Sequence, residues 1–250
     1  MTTARIALIT GASRGIGAAT ARLLAQRGWD IAVNYARDES AALQVAADVR
    51  SAGRRGIVVR ADVADEAAVV AMFEAVDRGL GRVGALINNA GIVDLKARLD
   101  EMSSTRWRRM LDINVFGTLL CSREAVRRMS TRHGGAGGVI VNLSSIAATL
   151  GAPAMYVDYA ASKGAIESFT VGLGRELAGE GVRVNAVSPG IIETDIHGDS
   201  GDAARPQKLA STIPLQRSGT AQEIAQAIAW LVSDEASYVT ATVLSVSGGR

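Results

Sequence analysis

Short runs of uniformly apolar residues alternate along this chain with stretches whose apolar positions recur every three to four residues. The runs read as buried strands, and the periodic stretches as helices packed along one face. Residues 5–10 predict a strand, followed by a glycine-bearing loop and a helix to about Arg27. Residues 30–35 are a second strand, and 39–52 a helix stopped by Gly53. A third strand covers 57–60, a helix 66–78 and a fourth strand 85–88. A long helix then runs from about Ser103 through Val115, with a further helical stretch to Met129. Strands at 139–143, 182–187 and 243–246, with helices over 157–178 and 221–233, complete the pattern. Strands apolar on both faces and separated by helices imply a parallel sheet covered on both sides. Right-handed crossovers make it an α/β, doubly wound parallel sheet. Nothing breaks the pattern into two parts, so residues 1–250 read as a single domain. Only 190–216 lacks a period. A long loop in such a fold is commonly functional, and ligands bind at the carboxyl ends of the strands, where this one should lie.

Composition narrows the picture. A hydrophobic content of 48% over 250 residues supports a large core, and four prolines without a long polar tract argue against a linker or disordered tail. A net charge of +2 gives no field that would draw the chain to nucleic acid or a membrane. Arg106, Arg108 and Arg109, and later Arg123, Arg127, Arg128 and Arg132, fall at helical spacings and read as solvated helix faces. Cys121, the only cysteine, excludes an intramolecular disulfide and fits a reducing cytoplasm. No stretch nears the ~20 apolar residues of a membrane span, and the N-terminus runs straight into a strand. A soluble, cytoplasmic protein is expected.

Between the first strand and helix lies Thr10-Gly11-Ala12-Ser13-Arg14-Gly15-Ile16-Gly17. Glycines let backbone N–H groups approach a pyrophosphate, and a helix N-terminus favours its charge. The spacing is Gly-x3-Gly-x-Gly, weak in a chain with 27 glycines, but the strand before and helix after point to dinucleotide binding. Gly11, Ser13, Arg14, Gly15, Ile16 and Gly17 are therefore candidate cofactor contacts. An acid at the end of the second strand would bind a ribose 2′-hydroxyl and repel a 2′-phosphate. Here Tyr35, Ala36 and Arg37 precede the first acid, Asp38. Arg14 and Arg37 suit a phosphate, so NADP(H) is expected over NAD(H). Asp62 and Val63, after the third strand, are placed to meet the adenine; a helix-capping aspartate is the equal alternative.

The most specific local signal is Tyr159-Ala160-Ala161-Ser162-Lys163. With four tyrosines and three lysines in the chain, such an offset arises by accident roughly one time in twenty. Four residues apart on a helix, the two side chains share a face. A phenol titrates near ~10, and a cation about 4 Å away at an effective dielectric near 20 supplies roughly the 4 kcal/mol needed to make its proton mobile at pH ~7. A half-buried helix face is the plain alternative. Nothing in the pattern calls for a metal.

Taken together, Thr10–Gly17, Asp62-Val63, Asn88-Asn89-Ala90-Gly91, Asn114, Ser145, Tyr159-x3-Lys163, and Pro189-Gly190 with Thr194 resemble, in order and spacing, the short-chain dehydrogenase/reductase family. The resemblance covers essentially the whole chain and implies a Rossmann-fold oxidoreductase. It implies Tyr159 as general acid or base, Lys163 lowering its pKa and holding the nicotinamide ribose, and Ser145 binding the carbonyl oxygen. Asn114 would hold a proton-relaying water. Asn89, Ala90 and Gly91 would line the cofactor, and Ile192 and Thr194, after Pro189 and Gly190, would hold its carboxamide. Tyr156 and Ser144 compete with Tyr159 and Ser145, but Tyr156 has Ala160 where the lysine should be, and the family serine is the second of the pair. The serine–tyrosine separation is one residue longer than common, which puts an extra residue near Gly151–Ala154. His197 reads as a solvated loop histidine. The substrate is a ketone or secondary alcohol: a β-ketoacyl thioester on an acyl carrier protein, for which Arg132 and Arg175 resemble carrier-contacting positions, or a sugar, polyol or small ketone. A non-catalytic dinucleotide sensor is the competing class. The resemblance also implies a homotetramer, with residues 224–232 and 239–249 matching one family interface, although these residues could equally be intrachain core.

Overall fold

The computed structural model describes residues 5–195, 198 and 200–250. Strand β1 (Ile6–Ile9) lies at the centre of a parallel sheet, between β2 (Asp30–Tyr35) and β4 (Ala85–Asn88). Outward from β2 comes β3 (Gly56–Arg60); outward from β4 come β5 (Gly138–Leu143), β6 (Val182–Pro189) and β9 (Val243–Val246). The order is β3-β2-β1-β4-β5-β6-β9, so the direction of winding reverses between β1 and β4. Alternating strand residues feed two layers. Ala7 and Ile9 pack on α1 (Gly15–Gln26), α2 (Glu39–Ser51) and α9 (Ala221–Val232), whereas Ile6 and Leu8 pack on α3 (Glu66–Gly79), α5 (Gly117–Met129) and the end of α7 (Val157–Leu177). Apolar residues on both faces of one strand are therefore a requirement of position, as expected.

Helix starts follow local polar chemistry. Asp38 accepts from the Ala41 N–H at 2.9 Å, Asp65 from Ala68 at 3.1 Å and Ser103 from Arg106 at 3.2 Å, while Thr220 and Glu223 form a capping box on α9. The cap of α3 is thus Asp65, not Asp62. Helix α1 lacks such a cap: Arg14 stands at its N-cap without a side-chain cap bond, and its first turn holds no acid.

The helix expected from Ser103 onward is interrupted. α4 (Ser104–Leu111) passes into a π-helical turn, Asp112–Phe116, before α5. Periodicity cannot register one extra residue in a turn, and π-turns concentrate at functional positions. Elements of a few residues were also illegible: α6 (Ala147–Leu150), α8 (Arg205–Leu209), and the pair β7 (Ile192–Glu193) with β8 (Gly219–Thr220), which orders part of the 190–216 loop. Two arginines read as solvated are not. The side chain of Arg128 is 14% exposed, paired with Asp77 and Glu124 and lying over the Phe73 ring; that of Arg106 is 10% exposed.

Candidate active site

A cavity of about 790 Å³ opens at the carboxyl ends of β1 and β4, where the winding reverses. Gly11, Ser13, Arg14, Gly15 and Ile16 form one wall. The fold of this loop comes from β4. Thr10 Oγ1 accepts the N–H groups of Asn89 and Ala90, both at 3.0 Å, and Asn89 Nδ2 donates to the carbonyls of Thr10 and Gly11 at 2.8 and 2.9 Å. Gly11 and Gly15 hold φ of 59° and 56°, a left-handed region natural to glycine. Gly17 is not in the lining; a Cβ there would stand 2.6 Å from Asn89 Nδ2, so this glycine permits the staple beneath the loop. The uncapped N-terminus of α1 leaves its first N–H groups at this wall, which suits a pyrophosphate.

Tyr35, Ala36 and Arg37 continue the lining past β2. Asp38 also touches the cavity, but its carboxylate is engaged in capping α2. The Tyr35 hydroxyl meets the Glu39 carboxylate, and burial together with that acceptor pushes the phenol above its ordinary range. Asp62 and Val63 line the same end, Asp62 accepting from the Ala64 N–H at 3.1 Å.

At the other end, Leu143, Ser144, Ser145, Tyr159, Lys163 and Pro189 line the cavity beside Asn89, Ala90 and Gly91. Tyr159 and Lys163 fall on one face of α7, with the ammonium nitrogen 5.6 Å from the phenol ring centre. Lys163 Nζ donates to the Leu143 carbonyl at 2.7 Å. Burial lowers the ammonium to about 8. The same burial raises the phenol of Tyr159, and a hydrogen bond from Ser145 works in the opposite direction. The i,i+4 spacing predicts a phenol driven down by a full cation. In the structure desolvation outweighs that effect, since the dry site that raises the phenol also drives the ammonium toward neutrality. The two serines differ in their partners: Ser144 Oγ donates to Glu167 Oε1 at 2.7 Å, whereas Ser145 meets the phenol.

Asn114 is buried behind this wall, not in it. Its Oδ1 accepts from the Ile92 N–H at 2.8 Å and its Nδ2 donates to the Ile92 carbonyl at 3.0 Å and to Ser162 Oγ at 3.1 Å. A Cβ on Gly91 would stand 3.4 Å from Asn114 Oδ1 and 3.5 Å from Lys163 Nζ, so the three positions converge. Thr194 lines the cavity over Gly15; Ile192 is packed into the core, and Gly190 lies against Ser247. His197 lies outside the described residues.

Sequence reasoning missed the contacts of the 190–216 loop. Arg205 lies 5.3 Å from the Tyr156 ring centre, and Asp202 joins Lys96 at 2.9 Å to Lys208 at 2.7 Å, the two ammonium groups holding its carboxyl down at about 2. Contacts between stretches far apart in the sequence, such as Lys96 with Asp202, leave no local signal. At Gly151, Ala152 and Ala154 the backbone is left-handed, with φ of 74°, 44° and 55°.

A family profile described as Enoyl-(Acyl carrier protein) reductase matches residues 11–250, and the relatives below are named oxidoreductases and dehydrogenases. The chain belongs to the short-chain dehydrogenase/reductase family. It is 51% identical over 245 residues to "Uncharacterized oxidoreductase YgfF" of Escherichia coli, covering 98% of this chain and 99% of that one. It is 40% identical to cis-4-hydroxycyclohexanecarboxylate dehydrogenase of Sinomonas cyclohexanicum, over 98% and 96% of the two chains. A short-chain dehydrogenase from Burkholderia cenocepacia, solved in complex with NADP, superposes with a TM-score of 0.90 at 37% identity, over 98% and 97%. Like these relatives, the chain is an oxidoreductase acting on CH–OH groups, and its family binds a nicotinamide dinucleotide. Among the described residues no helix is long and apolar enough to cross a membrane, and no cluster of potential metal ligands occurs.

Proposed function

We propose that the protein interconverts a ketone and a secondary alcohol with NADP(H), using Tyr159 as general acid in reduction and general base in oxidation. The observation that carries this reading is the meeting of Ser145, Tyr159 and Lys163 at one end of a cavity whose other end holds the glycine loop and Arg37. The residues fit a dinucleotide: left-handed glycines and an uncapped helix end receive the pyrophosphate, and Asn89, Ala90 and Gly91 continue the channel. Arg14 and Arg37 line the ribose end, and Asp38 beside them accepts the Ala41 N–H at the start of its helix, which favours NADP(H) over NAD(H). Asp62 and Val63 would border the adenine, and Pro189 and Thr194 the carboxamide, with Gly190 and Ile192 packed behind them. When bound, the dinucleotide supplies or accepts the hydride. Tyr159 passes its phenolic proton to the carbonyl oxygen, and Ser145 donates a second hydrogen bond to the charge developing there. Lys163, near neutrality by burial, restores that proton along a path fixed by Asn114.

Residues 190–216 act as the substrate-binding loop of a single 250-residue domain. The name of the Sinomonas relative puts alicyclic hydroxy acids first among candidates, ahead of β-ketoacyl thioesters on an acyl carrier protein and of sugars. A homotetramer is part of the reading. Ile224, Ile228 and Leu231 are intrachain core, which leaves Trp230 and Tyr238 exposed at that end, and Trp107, Leu111 and Phe116 exposed around α4, to meet other copies. The test is loss of NADPH absorbance against a panel of cyclic keto acids, diketones, quinones, thioesters and sugars, with Tyr159→Phe in parallel. Turnover that drops at least a hundredfold in the variant, with NADPH still bound, supports the reading; tight NADPH binding with no turnover across the panel favours a dinucleotide sensor.

A further inference from the structure

Arg106 and Asp158 have no part in the reaction just described, yet both are nearly buried, with side chains 10% and 5% exposed. Arg106 Nε donates to Asp158 Oδ2 at 2.7 Å and Nη2 to Oδ1 at 3.1 Å, the two-pronged geometry in which a guanidinium is most specific. Its remaining nitrogen, Nη1, donates to the Leu95 carbonyl at 2.6 Å. Asp158 Oδ1 in turn accepts the backbone N–H of Tyr159 at 2.9 Å. One guanidinium therefore ties α4, the loop after β4 and the first turn of α7.

That first turn needs an outside anchor. Its N-cap, Tyr156, makes no side-chain cap bond, so the opening N–H groups depend on other acceptors. The loop is in the same position, having no regular structure from Asn89 to Arg98. It is held at Ile92 by Asn114, at Leu95 by Arg106, and at Ala97 by the Met155 carbonyl at 3.1 Å. Val93 and Asp94 on this loop, and Arg106 itself, face the cavity. A proton donor misplaced by a fraction of an ångström loses much of its effect.

We propose that Arg106 and Asp158 form a positioning pair that sets the first turn of α7, and with it the phenol of Tyr159, against the loop bounding the site. The inference rests on Tyr159 as the proton donor. The experiment uses Arg106→Gln, Asp158→Asn and the double variant in the full-length protein, with 2,3-butanedione as the probe. The readouts are kcat per NADPH-binding site, NADPH affinity by fluorescence and the thermal melt. Each single variant should lower kcat at least tenfold with the NADPH Kd within threefold, and the double variant should lose no more than the worse single one, because the two act as one unit. Arg106→Lys keeps the charge but cannot span both carboxylate oxygens and Leu95, and should stay well below the parent. Unchanged kcat in both single variants, or losses that multiply in the double, would overturn the pair. Where Arg106→Gln does not fold, Asp158→Asn decides, since asparagine keeps an oxygen for the Tyr159 N–H: a kcat within twofold of the parent overturns the proposal.

A substrate-free arm titrates Tyr159 by ultraviolet difference against Tyr159→Phe. The charged or titratable groups around the pair are Arg106 on α4, Asp94 on the loop (its carboxylate 4.0 Å from Arg106), Tyr156 at the N-cap of α7, and Tyr159 and Lys163 along that helix. Arg106→Gln removes a cation and should lower the ionisation constant of Tyr159, whereas Asp158→Asn removes an anion and should raise it, each by at least threefold, with the double variant near the parent; no movement in either counts against the pair. Tyr159→Phe separates the two claims. Full turnover there removes the proton-donor reading, whereas lost turnover there with unaffected Arg106 and Asp158 variants removes only the positioning pair.

Discussion

Replacing Lys163 by methionine should stabilise the cofactor-free protein while abolishing its turnover. Lys163 is 5% exposed, and burial brings its ammonium from 10.5 to about 8. At ~1.4 kcal/mol per pH unit, holding that charge in the fold at neutral pH costs roughly 3 kcal/mol. The bond to the Leu143 carbonyl at 2.7 Å returns about 1.5–3 kcal/mol of this, as hydrogen bonds from charged donors do. Methionine has a similar stem and no charge, so a net gain of about 1 kcal/mol is expected, a rise in Tm of ~2–4 °C for a chain of this size. The sign can be checked by pH. Below about 8 lysine is protonated in both folded and unfolded states and the cost is fully present. From there to 10.5 the unfolded chain holds the extra proton, so the parent gains stability with rising pH and the variant does not. Thermal melts of both proteins from pH 7 to pH 10 would show the variant's advantage shrinking and vanishing. A parent that melts above Lys163→Met at pH 7, or equal pH slopes for the two, would refute the assignment of burial as the dominant effect.

Removing the guanidinium in Arg37→Ala should raise the KM for NADPH by ~10–100-fold and that for NADH by less than threefold, as steady-state kinetics with each cofactor would show. Because burial raises the phenol of Tyr159, its acid form is present at neutral pH. Ketone reduction should therefore be flat through neutrality and decline on the alkaline side, while alcohol oxidation, which needs the base form, climbs with pH; matched pH–rate profiles in the two directions test the sign. Cys121 is fully buried and its thiol is pushed up to about 12, so a thiol reagent should label the native protein only at the rate of its unfolding.

The strands and most helices were legible because the sheet is buried on both faces. Apolar runs such as Ile6–Ile9 and the first three residues of β4, Ala85 to Ile87, have to be apolar wherever the chain leads. The glycine loop, the Tyr159–Lys163 spacing and the pair of serines were legible too, since local backbone and one helical turn set them. The sequence by itself thus determined the doubly wound class, the family and the candidate catalytic group. Tertiary structure decided how those groups behave. Whether Tyr159 is lowered by Lys163 or raised by burial depends on what surrounds both, and no spacing encodes a dielectric. Arg106 looked like one more solvated arginine until Asp158, 52 positions along the chain, closed on it. Ile192 and Gly190 carry the family pattern, yet packing against the core and Ser247 takes them out of the cavity wall. A pattern along the chain fixes which residues share a face, whereas desolvation and long-range pairing exist only once distant faces meet.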